Sequence, residues 1–123
     1  MLKTVLLSLL FVLNSAAAAA SLEGHWRLSD KPVWMTIESG VGLVAYSKDD
    51  PDARGKILLR NLSALDVDNR WQGQIYVRQL KAYRDADIVL TSSDSMEITV
   101  KVGFIRRTVN WQRSDEIPYP SKT

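Results

Sequence analysis

The amino-acid sequence predicts an all-β fold, a small closed antiparallel up-and-down barrel of about eight strands. Val, Ile, Thr, Tyr and Trp recur in alternation with polar residues, and Gly, Pro, Asp, Asn and Ser break the alternation about every eight to ten residues. Between residues 21 and 123 no stretch carries the helical period. Apolar side chains at every second position give most segments one face to bury, and many short strands of that kind close most economically into a barrel or sandwich.

Gly24 to Leu28 and Val33 to Ile37 flank a loop of Ser29, Asp30, Lys31 and Pro32. Pairing Leu28 with Val33 sets Trp26 opposite Met35 and Gly24 opposite Ile37 on a wholly apolar face. Arg27 then meets Trp34, and His25 meets Thr36, on the other. A slip of one residue would destroy that segregation. Val41 to Ser47 reads as a third strand after a turn at Gly40, and Lys48 to Arg54 as a polar loop. Gly55 then leads into the apolar stretch Lys56 to Leu59, while Asn61 to Asn69 is less regular. Arg70 to Val77 is a strand with Trp71, Gly73, Ile75 and Val77 on one face and Gln72, Gln74 and Tyr76 on the other. Leu80 to Arg84 extends after a short connection. Ala86 to Ser92 and Met96 to Val102 form a hairpin, read with Leu90 opposite Ile98 and a loop of Ser93, Asp94 and Ser95. Arg106 to Arg113 is the last strand, with Val109, Trp111 and Arg113 on one face.

On these registers Trp26, Met35, Trp71, Ile75, Ile98 and Trp111 point inward. Each Trp brings roughly 200 Å² to bury. An eight-stranded barrel is just wide enough to be filled by side chains or to hold one small ligand. The expected interior is therefore largely filled, with any cavity small and near one mouth.

Residues 1–20 read as a leader. A short start containing Lys3 precedes the apolar run Val5 to Leu13, and small residues follow as far as Ala20. That run is too short to cross a bilayer as a helix, and the alanines suit cleavage near Ala20. Residues 21–115 form a single barrel domain and 116–123 a C-terminal tail. The expected address is the periplasm, without stable membrane insertion. The chain contains no cysteine, which excludes disulfides and thiolate chemistry. The formal net charge is +2, and losing Lys3 with the leader leaves +1. So evenly mixed and near-neutral a surface is expected to offer neither nucleic acid nor anionic lipid a long-range attraction.

Gly24-His25-Trp26, Gly55 to Leu59, Trp71-Gln72-Gly73-Gln74-Ile75-Tyr76 and Trp111-Gln112-Arg113 resemble, in order and spacing, an uncharacterised family of small exported bacterial proteins. That domain of unknown function is associated with a lipocalin-like barrel, of the lipocalin or streptavidin kind. The likeness covers residues 22 to 113. It implies that Gly24, Trp26, Trp111 and Arg113 close the barrel, with the Arg113 guanidinium stacked on Trp26. Cysteines of many relatives are missing here, where Ser39, Gly40 and Val41 stand at one of their positions.

Candidate sites are few. Asp49, Asp50 and Asp52 lack the spacing of a calcium loop and read as a turn that caps its own backbone and pairs with Arg54. His25 is the sole histidine, too little for zinc, and no nucleophile elbow is present. No catalytic residue, metal site or cofactor is expected. Met35, Ile37, Trp71, Ile75, Tyr83 and Ile98 are the candidate lining for a small amphipathic or apolar molecule at the barrel mouth. Trp34, Arg27 and Tyr76 are the candidate surface for an envelope protein, unless Arg27 lies across Trp34 and covers it. Arg106 and Arg107 with Arg60, Arg78 and Arg84 read as a solvated surface.

Overall fold

Residues 21–118 are described in a computed structural model; the expected leader, 1–20, and the end of the expected tail, 119–123, lie outside them. Eight strands follow one another: β1 (Gly24–Leu28), β2 (Val33–Glu38), β3 (Val41–Ser47), β4 (Ile57–Ala64), β5 (Arg70–Val77), β6 (Ala82–Ser92), β7 (Ser95–Val102) and β8 (Ile105–Arg113). Each pairs antiparallel with the next, and β8 pairs with β1, so the meander closes on itself. The expected fold class is the observed one.

The first hairpin has the expected register, with Trp26 opposite Met35 and Arg27 opposite Trp34. Three expectations need correction. The β6–β7 hairpin pairs Ile88 with Ile98 and Leu90 with Met96, two residues away from the expected alignment, and turns through Ser93 and Asp94 alone. A slip of two keeps the same side chains inward, so alternation could not exclude it. The irregular region after Leu59 is mostly strand: β4 runs on to Ala64 through a bulge at Asn61, whose φ is 56°, between the Arg60–Gln74 and Ser63–Gln72 pairs. Leu80 belongs to the turn before β6, where Lys81 has a φ of 51°, and β6 is one strand of eleven residues rather than two segments.

Inward side chains fill the barrel. Trp26, Met35, Leu59, Ile88, Met96 and Ile98 are wholly buried, and Leu28, Val33, Leu62, Trp71 and Val109 pack against them. Leu22, ahead of β1, is buried too and plugs one end. There the Trp26 indole N–H donates to the Leu22 carbonyl at 2.9 Å. The Arg113 guanidinium lies 4.4 Å from the Trp26 ring centroid and donates to the carbonyls of Ser21, Glu23 and Ser93 at 2.7–2.8 Å. Gly24 has a φ of 125°, and a Cβ there would stand 3.0 Å from Arg113 Nη1, so the residue is glycine for room as well as for backbone. Trp111 Nε1, by contrast, is buried without a hydrogen-bond partner.

Because the strands run alternately up and down, successive connections fall at opposite ends. The turns at 39–40, 65–69 and 93–94 share the plugged end with residues 21–23 and 114–118. Those at 29–32, 48–56, 78–81 and 103–104 form the far end.

Two substitutions test the closure. Trp26→Ala should lower the unfolding free energy by about 3–5 kcal/mol in a urea titration. Arg113→Lys should cost about 1–3 kcal/mol, because a single ammonium cannot serve three separate carbonyls and stack at once. An Arg113→Lys protein as stable as its parent would show that the guanidinium fork does not hold the end together.

Candidate functional site

The six expected lining residues separate in the structure. Met35, Ile37, Ile75 and Ile98 are core side chains packed on one another, each 8% exposed or less. Trp71 is half-buried against the same cluster. Tyr83 is a correction. It pairs with Tyr76 across β5 and β6 and therefore stands on the outer face, outside the barrel. The turn at 78–81 resets the register there, which alternation along Leu80 to Arg84 did not reveal. Ile37 and Trp71 border a cleft of about 210 Å³ at the plugged end, shared with Leu22, Gly40, Leu62 and Ala64.

The surface candidates lie in two places. The Arg27 guanidinium carbon is 5.2 Å from the Trp34 ring centroid, and Tyr46 packs on the same indole at 5.7 Å, so Trp34 is partly covered on the β1–β3 face. Tyr76, 38% exposed, meets Tyr83 edge-on at 5.3 Å on the β5–β6 face. Arg60 lies over the Tyr83 ring at 3.6 Å and donates from Nε to Gln74 Oε1, and the Tyr83 hydroxyl donates to the Ile57 carbonyl at 2.8 Å. Together these contacts tie β6 to β4 across the outer face of β5.

His25 Nδ1 is 2.9 Å from Thr36 Oγ1. Asp50 meets Arg78 at 3.4 Å, a partner from another loop that sequence proximity to Arg54 did not suggest. Its side chain makes no cap bond to the short 3-10 turn at Pro51–Ala53. Among the described residues no three His, Asp or Glu side chains are grouped to hold a metal ion.

Sequence reasoning missed a polar groove on the outside of the barrel. A groove of about 630 Å³ runs across the outer face of β4 to β7. Each strand contributes two polar side chains spaced two residues apart: Asn61 and Ser63, Gln72 and Gln74, Asp85 and Asp87, Thr99 and Lys101. Alternation is the cause, since residues i and i+2 share a face. The bulge at Asn61 brings the β4 pair into step with the others. Gln74 sits at the centre, where its Oε1 accepts from Asn61 Nδ2 at 3.1 Å as well as from Arg60. Its Nε2 is 3.5 Å from Asp85 Oδ1, a weak contact. Gln72/Gln74 and Asp85/Asp87 were visible as i, i+2 pairs in the sequence. What joins them into one surface is the register.

No family model matches the chain, and no curated protein or solved structure does.

Tyr83→Phe tests the outward placement of this ring. Losing one partly exposed hydroxyl bond should cost about 0.5–1.5 kcal/mol in a urea titration. A phenylalanine there that leaves stability unchanged or raises it would count against the Ile57 contact.

Proposed function

We propose that the chain is a non-enzymatic binding barrel, exported to the periplasm with its leader removed near Ala20, and a relative of the small exported proteins with lipocalin-like barrels that it resembles. Its ligand lies on the outside of the barrel, across the β4–β7 groove, and is a polar, hydroxyl-bearing molecule of the chemistry of a glycan. The observation that carries this reading is the paired array of amide, hydroxyl and carboxylate side chains around a depression of about 630 Å³. That volume is within the range that holds a small ligand. Carboxylates accept and amides both donate and accept, so Asp85, Asp87, Gln72 and Asn61 can bracket neighbouring hydroxyls with two bonds each. Tyr76, beyond Gln74 on the same face, offers a ring on which the apolar side of a sugar can stack.

A second reading retains a small amphipathic or apolar molecule at the barrel mouth. The cleft beside Ile37 and Trp71 favours it. Its volume of about 210 Å³ admits a short acyl or aromatic group rather than a whole lipid-sized ligand. An envelope protein docking on Trp34 has less to hold, since Arg27 and Tyr46 occupy much of that indole.

Amide chemical shifts followed during titration with a soluble N-acetylglucosamine oligomer, and separately with a short fatty acid, distinguish the readings. The groove predicts shifts at Gln72, Gln74, Asp85 and Asp87 with the oligomer, and at least about tenfold weaker binding in Asp85→Ala/Asp87→Ala, which removes two charged acceptors. Shifts confined to Ile37, Leu62 and Trp71 with the fatty acid would transfer the site to the mouth. No shift in the groove with the oligomer removes the glycan reading.

A further inference from the structure

The β7–β8 hairpin outruns its neighbours. β6 pairs with β7 only as far as the Ala86–Val100 pair, and β1 leaves β8 at Leu28 opposite Trp111, with one further bond from Ser29 N to the Asn110 carbonyl. Beyond those points β7 and β8 pair with each other alone, ending in Lys101–Arg106 and Val102–Ile105. The last two pairs and the turn therefore form a two-stranded finger at the far end, free along both edges. Gly103, with a φ of 66°, supplies the left-handed backbone that so short a turn requires at its first position.

What the finger carries at its apex is unusual. Turns of this kind favour Gly, Asn, Asp and Ser, yet Phe104 occupies the second position with its side chain entirely in solvent, and Ile105 beside it is 63% exposed. Leu80, in the neighbouring turn at the same end, is 39% exposed. Around these apolar side chains stand Arg78, Lys81, Arg84, Lys101, Arg106 and Arg107, all exposed, with Asp50 reaching Arg78 from the loop before β4. The opposite end has the reverse sign. Its connections carry Glu23, Asp66, Asp68, Asp94, Asp115 and Glu116, and among the described residues in them there is no Lys or Arg. At the neighbouring strand ends Arg70 and Arg113 offset part of this, the latter held on backbone carbonyls. Counted over its connections alike, the far end carries six cations (Lys31, Lys48, Arg54, Lys56, Arg78, Lys81) against four carboxylates (Asp30, Asp49, Asp50, Asp52). The net charge near zero, expected to be evenly mixed, thus conceals one end with a basic excess and one that is acidic.

Basic side chains on the edges of a projecting hairpin have an ordinary use, to keep the edge from pairing with another chain. That use accounts for Lys101 and Arg106. It does not account for a phenylalanine at the apex, which gatekeeping would exclude. We propose that the finger is a contact for an anionic lipid bilayer, with Phe104 and Ile105 entering the headgroup boundary and the surrounding cations resting on lipid phosphates. Charge complementarity selects the anionic surface, and the acidic end orients the barrel away from it. Size selects lipid over protein. A stable protein interface needs roughly 800 Å² from each side, whereas a phenylalanine ring with one or two aliphatic neighbours supplies a few hundred at most. A wedge of that size matches a reversible interfacial anchor, whose backbone remains wet and whose strand edges need not be satisfied in hydrocarbon. The contact shares with the groove only Arg84 and Lys101 at its margin, and its test variants touch neither, so it stands or falls independently of the glycan reading.

Flotation of the full chain with vesicles tests it, comparing phosphatidylethanolamine–phosphatidylglycerol with pure phosphatidylcholine. Any contribution of residues 1–20 is common to every variant and cancels in the comparison. Arg106→Glu/Arg107→Glu should bind anionic vesicles at least about 25-fold more weakly, since each cation near such a surface is worth roughly fivefold and the added carboxylates are repelled. Phe104→Ser/Ile105→Ser should weaken binding about tenfold. Asp66→Ser/Asp68→Ser, at the other end, should not weaken it. Because the chain has no cysteine, an environment-sensitive dye placed at Gln79→Cys reads the far end alone and one at Ser93→Cys the plugged end. The first should shift to the blue on anionic vesicles and the second should not. Equal flotation of parent and both tip variants, or a response from the Ser93→Cys dye only, overturns the proposal. Cross-linking from Gln79→Cys to a single envelope protein, with no dependence on anionic lipid, overturns it in favour of a protein partner.

Discussion

A sheet can end its hydrogen-bonding only by meeting itself or by covering its edges, and here the first and last strands meet over three residue pairs, from Trp26–Arg113 to Leu28–Trp111. So short a seam needs help, and Arg113 supplies it. The guanidinium stacks on the indole of β1 while its donors reach three carbonyls that would otherwise face the plugged end without partners. Trp26 is itself satisfied through the Leu22 carbonyl, which draws residues 21–23 across the barrel end as a plug. The two interior indoles near this seam are therefore unequal. Trp26 is packed, stacked and hydrogen-bonded, whereas Trp111 contributes volume but leaves its N–H orphaned.

With that seam closed, the interior has no spare width. Three large aromatic or sulfur-bearing side chains, Trp26, Met35 and Met96, already share the centre with Leu59, Ile88 and Ile98. Recognition is displaced outward by default, onto surfaces that a barrel makes in two ways. Alternation presents polar side chains in pairs along each strand, and where four strands curve together these pairs form the β4–β7 groove. Connectivity sends every second loop to the same end, so loops that are dispersed in sequence gather by parity, and at the plugged end their acidic charges add.

The sequence made much of this legible, and the gaps have a common cause. The β1–β2 register could be read because a proline-containing loop of fixed length left only one alignment with a fully apolar face. The β6–β7 register could not, because Ser92 to Ser95 allows turns of different length that differ by an even slip and leave Ile88, Leu90, Met96 and Ile98 inward in either case. Tyr83 was misplaced for a related reason. A turn whose last residue, Lys81, adopts a left-handed conformation can restart a strand in either phase, and only the partner Tyr76 decides which. The bulge at Asn61 hid the fourth strand and with it one wall of the groove. Periodicity within a segment was visible; phase between segments was not.

Closure by the two terminal strands also imposes an order of events. The carbonyls of Ser21 and Glu23 are separated from the Arg113 side chain that binds them by 92 and 90 positions. Local hairpins can form as soon as their residues exist, but the entropy of bringing such distant ends together is repaid only once the final strand is present. A growing chain would therefore remain an unsealed meander until β8 emerges, and only then become a rigid body. Loss of even a short C-terminal stretch containing Arg113 would leave that seal unmade while sparing most of the hairpins, turning a late step of assembly into one that never occurs.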